Sequence, residues 1–298
     1  MKGTYRPYNE RTPDDQYKNL IRAILKDGIK SPSPMVDENG QEVSTIDLLG
    51  APVMRFDILK NGAPIITERE IKFWRTPIGE MLAFINGART QEDLEQYGCK
   101  WWKKCAKRGL ETGDLGPGSY GAAFHDFPTT EGKNFNQFAE IILQMQERPE
   151  LKTHFISPWI PQYTIRNKNH QQKVVVCPCH GWMHFRILNG KLHLVLFQRS
   201  CDILIGCPSN WAQYSALLLA MSEVLDLEPG EFIHMISDAH IYENQLPWVK
   251  EILARDSKPF PTLKINNSHD SIFDYRIEDF ELTDYEPHPS IKGIPVAI

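Results

Sequence analysis

No stretch of this chain approaches the roughly 20 consecutive apolar residues that a helix needs to cross a bilayer, so no membrane partner is expected. The opening residues, Met1-Lys2-Gly3-Thr4-Tyr5-Arg6, lack the apolar centre of a signal peptide, and the expectation is a cytoplasmic protein. A surplus of positive charge is missing too. The chain carries 33 Lys and Arg against 38 Asp and Glu, a formal net charge of −5. That balance argues against a general affinity for nucleic acid, which favours a clustered basic surface, but leaves room for a small anion held by a few local cations. Cys-x-x-Cys pairs are also absent. The six cysteines stand at 99, 105, 177, 179, 201 and 207, and Cys177/Cys179 has no matching second pair. Neither a structural metal site nor a disulfide framework is expected, and free thiols are. Repeats, low-complexity tracts and an interdomain linker are lacking as well, which points to one mixed α+β domain over residues 1–298.

Hydrophobic residues make up 41% of the chain and charged ones 24%, the mix of a globular protein with a substantial core. Residues 14–27 place Tyr17, Leu20, Ile21, Ile24 and Leu25 at helical spacing, with Gly28 at the end. Residues 31–40 read as a loop, and 53–59 as a strand ending in the Asn61-Gly62 turn. Residues 78–85 form a buried helix that carries Glu80, and 113–121 break the chain. Residues 138–145 are helical in pattern. The second half is richer in strands: 173–177, 182–188, 192–197, 232–236 and 262–265, with Asn189-Gly190 as a hairpin turn, and a long apolar helix over 214–225.

Several residues have the chemistry of a reactive site. Cys179 ends an apolar strand, after Pro178 and before His180; it is either a buried structural thiol or a nucleophile, which needs access and a nearby cation. Arg199, in Gln198-Arg199-Ser200-Cys201-Asp202, is a source of that cation. Glu80 either points outward or is buried, in which case desolvation raises its pKa toward proton transfer. In Asp238-Ala239-His240-Ile241-Tyr242, His240 and Tyr242 fall on one side of an extended segment and can share a hydroxyl, or His240 is a core histidine. The run Gly116 to Gly121 lacks the lysine and spacing of a phosphate loop. Trp101-Trp102 can stack on a planar ring or simply pack.

Taken in order, these segments resemble thymidylate synthase, the folate-dependent family that methylates dUMP. The resemblance is densest from Cys177 to Ile298, in Pro178-Cys179-His180, Gln198 to Asp202, Gly206-Cys207-Pro208-Ser209-Asn210, Asp238 to Tyr242, Ser271-Ile272-Phe273-Asp274-Tyr275-Arg276 and the closing tail. Upstream it includes Met54-Arg55-Phe56, Glu80, Gly113-Asp114-Leu115-Gly116-Pro117 and Tyr120-Gly121. It implies a thymidylate synthase-like fold with flanking helices and a mixed β-sheet forming the interface of a homodimer. It further implies that Cys179 adds to the pyrimidine C6, and that Arg199, with Ser200, binds the phosphate and holds the thiolate. Asn210 would read the uracil edge, while His240 and Tyr242 would hold the 3′-hydroxyl. Glu80 would organise water and protons, and Tyr120 would take part in removing the C5 proton. Asp202, Gly206, Trp102 and Ala297 would hold 5,10-methylenetetrahydrofolate, with no metal.

The chain also departs from that pattern. No arginine lies near residues 31–34, and the Arg-Arg pair given by a partner subunit falls at Lys152-Thr153, so Lys152 would act in trans; Arg166 or Lys30 could compensate. A short insertion lies within 162–172, and Ala122-Ala123-Phe124-His125 differs from the usual run. Three functions follow in order: methylation of dUMP; 5-hydroxymethylation of a pyrimidine nucleotide, with water in place of hydride; and a silent binding protein, which would be expected to have lost Cys179, Arg199, Glu80 or Tyr120.

Overall fold

A computed structural model describes residues 2–37, 40–103 and 113–296. Its frame is a five-stranded sheet in the order β3-β10-β8-β7-β6 and a four-stranded sheet in the order β1-β2-β11-β9. The strands of the first are β3 Met54–Asp57, β6 Phe155–Ile156, β7 Trp182–Leu188, β8 Lys191–Gln198 and β10 Glu228–Ile236; those of the second are β1 Ile29–Ser31, β2 Thr45–Leu49, β9 Cys201–Asp202 and β11 Asp238–Tyr242. Small pairs, β4 Phe127–Pro128 with β5 Asn134–Phe135 and β12 Thr262–Ile265 with β13 Phe280–Thr283, complete the sheets. Both sheets mix parallel and antiparallel pairs, β10 running parallel to β8 and β11 parallel to β9.

The hairpin expected at Asn189-Gly190 joins β7 to β8, with Leu188 opposite Lys191. Both turn residues have positive φ, 51° and 73°, the geometry that asparagine and glycine tolerate and that matches the twist of the flanking strands. Along β8 the even positions Leu192, Leu194 and Leu196 are fully buried, while Val195 and Phe197 face away from the core.

The Gly206–Val224 helix lies against the buried face of this sheet and is enclosed on all sides, buried from Cys207 to Ser222. It begins eight residues before the expected 214, because Pro208 in its first turn gives up an N–H that has no helical partner anyway. The Arg75–Ile85 helix packs beside it, buried from Pro77 to Ile85. One contiguous hydrophobic cluster joins both helices to the two sheets.

Two expected strands are corrected. β3 stops at Asp57, whose carboxylate accepts from the Lys60 N–H and starts a one-turn helix, Ile58–Asn61, instead of continuing to residue 59. Residues 173–177 join no ladder, and their backbone bends at Lys173, Val175 and Val176. Their backbone groups bond to scattered partners instead, Lys173 N–H to Tyr163 O in the short Pro161–Thr164 helix, Gly118 N–H to Lys173 O and Val175 N–H to Leu115 O. Cys179 therefore sits on a loop rather than at a strand end. The 14–27 and 138–145 helices are present as Gln16–Asp27 and Gln137–Glu147.

Candidate active site

The chain passes from the five-stranded to the four-stranded sheet twice, from β8 to β9 and from β10 to β11, and the first crossing carries Arg199 and Ser200. Its backbone is tied on both sides: Arg199 N–H donates to Cys179 O and Ser237 N–H to Gln198 O, each at 2.8 Å. The Arg199 side chain turns back over the Cys177-Pro178-Cys179 loop. Its Nε donates to Pro178 O at 2.7 Å, and Nη2 donates to Cys177 O at 3.0 Å and reaches Cys179 Sγ at 3.3 Å. The guanidinium carbon lies 5.8 Å from the centre of the Trp159 ring. Three contacts from one planar group fix where the positive charge stands.

Burial pushes the partly buried Cys179 thiol above its ordinary pKa, and the Arg199 charge opposes that rise. Tyr120 holds the loop from the other side, its hydroxyl oxygen accepting from Cys179 N–H at 2.7 Å. The Tyr120 ring is stacked between Phe84 and His180, at 4.8 and 4.7 Å between centres. His180 Nδ1 lies 2.6 Å from the Tyr214 hydroxyl, and burial first, then Arg199, pushes its pKa down to about 3. With His180 neutral, the positive charge in contact with the sulfur is that of Arg199.

Glu80 is buried rather than outward-facing, and it is not alone there. Its Oε1 accepts from the indole N–H groups of Trp101 and Trp102, and its Oε2 from Gln213 Nε2. Burial raises its pKa, and the Trp102, Trp101, Gln213 and Cys99 hydrogen bonds counter the rise. Those donors offset a desolvation cost of several kcal/mol for a bare carboxylate. Both tryptophans thus have the same attachment, and Trp102 also meets Phe84 edge-on at 5.8 Å.

Asn210 lies in the first turns of the Gly206–Val224 helix, its Oδ1 accepting from Gln198 Nε2 at 3.0 Å and its Nδ2 donating to Gln213 Oε1 at 2.8 Å. Gly206 stands between it and Asp202: a Cβ added there would meet Asn210 Oδ1 at 3.8 Å and the Asp202 Cβ at 3.9 Å, both ordinary contacts. On β11, His240 and Tyr242 stand side by side, ring centres 5.3 Å apart, as their two-residue spacing predicts. Asp202 accepts from the backbone N–H of Leu204 and Ile205 and from Gln245 Nε2, and burial raises its pKa. The same Gln245 Nε2 donates to Pro295 O at 3.1 Å, so the C-terminal tail docks against the group that holds Asp202.

Lys152 stands apart from this cluster. It is exposed just before β6, its carbonyl accepting from His184, a residue of the outward sheet face. Ala297 lies outside the described residues. Lys30 is engaged with Glu243 at 2.7 Å, whereas the Arg166 charge acts on the Cys177 thiol, beside Cys179. Among the described residues, Asp47, Asp238 and His240 have ligand spacing for a cation, but they are cross-strand neighbours on β2 and β11 and Ser31 donates to Asp47.

Sequence reasoning assigned no role to Gln198, Gln213, His234 or Trp211. Gln213 had a signal: it follows Asn210 by one helical turn, two amides on one face of an otherwise apolar helix. His234 had none, since its partners come from β8 and from the helix. Comparison with protein-family profiles matches residues 15–298 to thymidylate synthase.

Proposed function

From the premise that the chain belongs to the thymidylate synthase family, matched over residues 15–298, we propose that it is a single-domain enzyme that methylates dUMP to dTMP. The family is one of transferases that act on pyrimidines with methylenetetrahydrofolate. That co-substrate supplies the one-carbon unit and, for methylation, a hydride.

The observation that carries the reading is the Arg199 guanidinium closed over the Cys177–Cys179 loop with Nη2 at 3.3 Å from the Cys179 sulfur. Cys179 is the nucleophile, and its thiolate adds to C6 of the ring. The electron pair displaced toward C5 and O4 makes C5 nucleophilic toward the one-carbon unit, and Asn210 donates to O4. Tyr120 and Glu80 serve the later loss of the C5 proton, Glu80 with its raised pKa suited to proton transfer. As the C5 proton is lost, the folate amine leaves the one-carbon unit. The co-substrate's hydride then reduces the C5 methylene as the C6–S bond breaks, which frees the Cys179 thiolate and gives dTMP and dihydrofolate. His240 and Tyr242 hold the 3′-hydroxyl, and Arg199, Ser200 and Arg166 take the phosphate. The folate lies against Asp202, Gly206 and Trp102, under the tail that Gln245 anchors.

The exposed face of the five-stranded sheet supports a homodimer. Phe155, Phe197 and Met235 are 50%, 38% and 41% exposed there, a patch of the kind that a second copy covers. On this reading Lys152, whose carbonyl accepts from His184 of that face, serves the partner's phosphate site. Among the described residues no helix is long and apolar enough to cross a membrane.

Incubation of the pure protein with methylenetetrahydrofolate and dUMP or dCMP, with products identified by mass, tests the reading. dTMP and dihydrofolate are expected, with no turnover by Cys179→Ser. A hydroxymethyl nucleotide with tetrahydrofolate overturns methylation, and full activity of Cys179→Ser removes the nucleophile.

A further inference from the structure

Behind Asn210 a line of buried side chains runs through the core in one direction. Trp211 Nε1 donates to His234 Nδ1 at 3.0 Å. His234 Nε2 lies 3.0 Å from Gln198 Oε1, and Gln198 Nε2 is 3.0 Å from both Asn210 Oδ1 and the Ser200 carbonyl. Asn210 Nδ2 donates to Gln213 Oε1, and Gln213 Nε2 donates to Glu80 Oε2. None of the six side-chain residues is more than 7% exposed.

The two ends set the direction of every link. An indole N–H can only donate, so His234 Nδ1 must accept and its proton must sit on Nε2. The Gln198 atom facing His234 must then be its oxygen, which turns its NH2 toward Asn210 and toward the Ser200 carbonyl, another obligate acceptor. At the far end Glu80, when ionised, can only accept, so Gln213 offers it its NH2 and shows Asn210 its oxygen, the same sense that the Trp211 end imposes. Asn210 meets a donor on one side and an acceptor on the other. Reversing its amide would set oxygen against oxygen at Gln213 and NH2 against NH2 at Gln198, both buried and unrelieved by water.

We propose that Trp211, His234 and Gln213 are positioning residues that fix the amide sense of Asn210, and with it the preference for a ring that accepts at position 4 and donates at position 3. This rests on the reading of Asn210 as the base-facing residue. In the fixed sense the remaining N–H of Nδ2 suits the O4 of uracil, and the remaining lone pair of Oδ1 suits N3–H. Cytosine, with an amino group at position 4 and a bare N3, needs the reverse. An amide can turn by a simple rotation, so the side chain of Asn210 does not discriminate unaided. The discrimination belongs to the line behind it.

The first test needs no nucleotide. In full-length protein labelled with 15N-histidine, the resonances lost in His234→Gln identify His234. They are expected to show a proton on Nε2 and a bare, hydrogen-bonded Nδ1, unchanged from pH 8 to pH 5. A proton on Nδ1, or an imidazolium at pH 6, overturns the proposed direction. The second test compares kcat/KM for dUMP and dCMP. Glutamine can accept from Trp211 and donate to Gln198, so His234→Gln is expected to keep the wild-type ratio within a few-fold. His234→Glu, an acceptor on both sides when ionised, demands an N–H from Gln198 and lowers the dUMP:dCMP ratio by about tenfold or more. Equal ratios in the two variants, with circular dichroism showing both folded, overturn the proposal; if His234→Glu does not fold, the tautomer decides. A wild-type protein that converts neither nucleotide removes the function of the site, and the tautomer measurement still decides the direction of the line.

Discussion

Cys179 and Arg199 lie 20 positions apart in sequence and touch through a loop and a crossing between sheets. Burial raises the thiol pKa and the guanidinium lowers it, so the balance at the sulfur depends on one side chain staying in place. Lysine keeps the charge but cannot bridge the Cys177 and Pro178 carbonyls with a planar fork. Arg199→Lys is therefore expected to shift the pH profile of Cys179 alkylation by iodoacetamide upward, by on the order of one pH unit. A profile identical to that of the wild type takes thiolate control away from Arg199. The chain itself displayed both residues within recognisable runs. What it did not display is the neutral His180 at their side or the tyrosine hydroxyl that holds the Cys179 N–H, because those contacts arise from packing between distant segments.

At the scale of elements, the Arg75–Ile85 helix shows how local preference and packing can oppose each other. Gly79 in its interior is less favourable than alanine by about 1 kcal/mol on propensity alone. A Cβ there would stand 1.9 Å from the Tyr97 carbonyl oxygen, so the missing side chain is what lets that turn approach the helix. Gly79→Ala is expected to lower the melting temperature, with overpacking at about 1–3 kcal/mol outweighing the propensity gain. It should also reduce turnover, because Glu80 is the next residue. A melting temperature at or above that of the wild type contradicts this account. The strongly periodic elements were legible in advance: the Gln16–Asp27 helix, the hairpin at Asn189-Gly190 and β11 with His240 beside Tyr242. The expected strand over 173–177 was not real, since an apolar run carries no information on whether a partner edge exists. The Gly206–Val224 helix was read short because its first turns hold Pro208, Ser209 and Asn210, the very polar residues that place it at the site.

Over the whole molecule, the five-stranded sheet buries one face under helices and leaves the other to solvent. Val195 is central on the open face, between His184 of β7 and Ile233 of β10. If a second copy covers this face, Val195→Glu places a charge in an apolar interface and is expected to convert a dimer into a monomer by sedimentation, with circular dichroism unchanged. A wild-type monomer, or an undisturbed dimer in the variant, removes this face from the interface. Loss of activity on dissociation would further tie Lys152 to the neighbouring site.

By itself, the sequence determined the chemistry that is available: a cysteine and an arginine in recognisable runs, an asparagine near a helix start, a glutamate within an apolar helix. These signals are local, carried by residue type and spacing along a few turns. Tertiary structure decided which of those groups meet and in which state. It buried Glu80 against two indoles, set Arg199 on the sulfur and arranged the hydrogen-bond partners that give the Asn210 amide its direction. The reason is physical. Desolvation and hydrogen-bond polarity are properties of surroundings, and the surroundings of each group here come from parts of the chain tens of residues away.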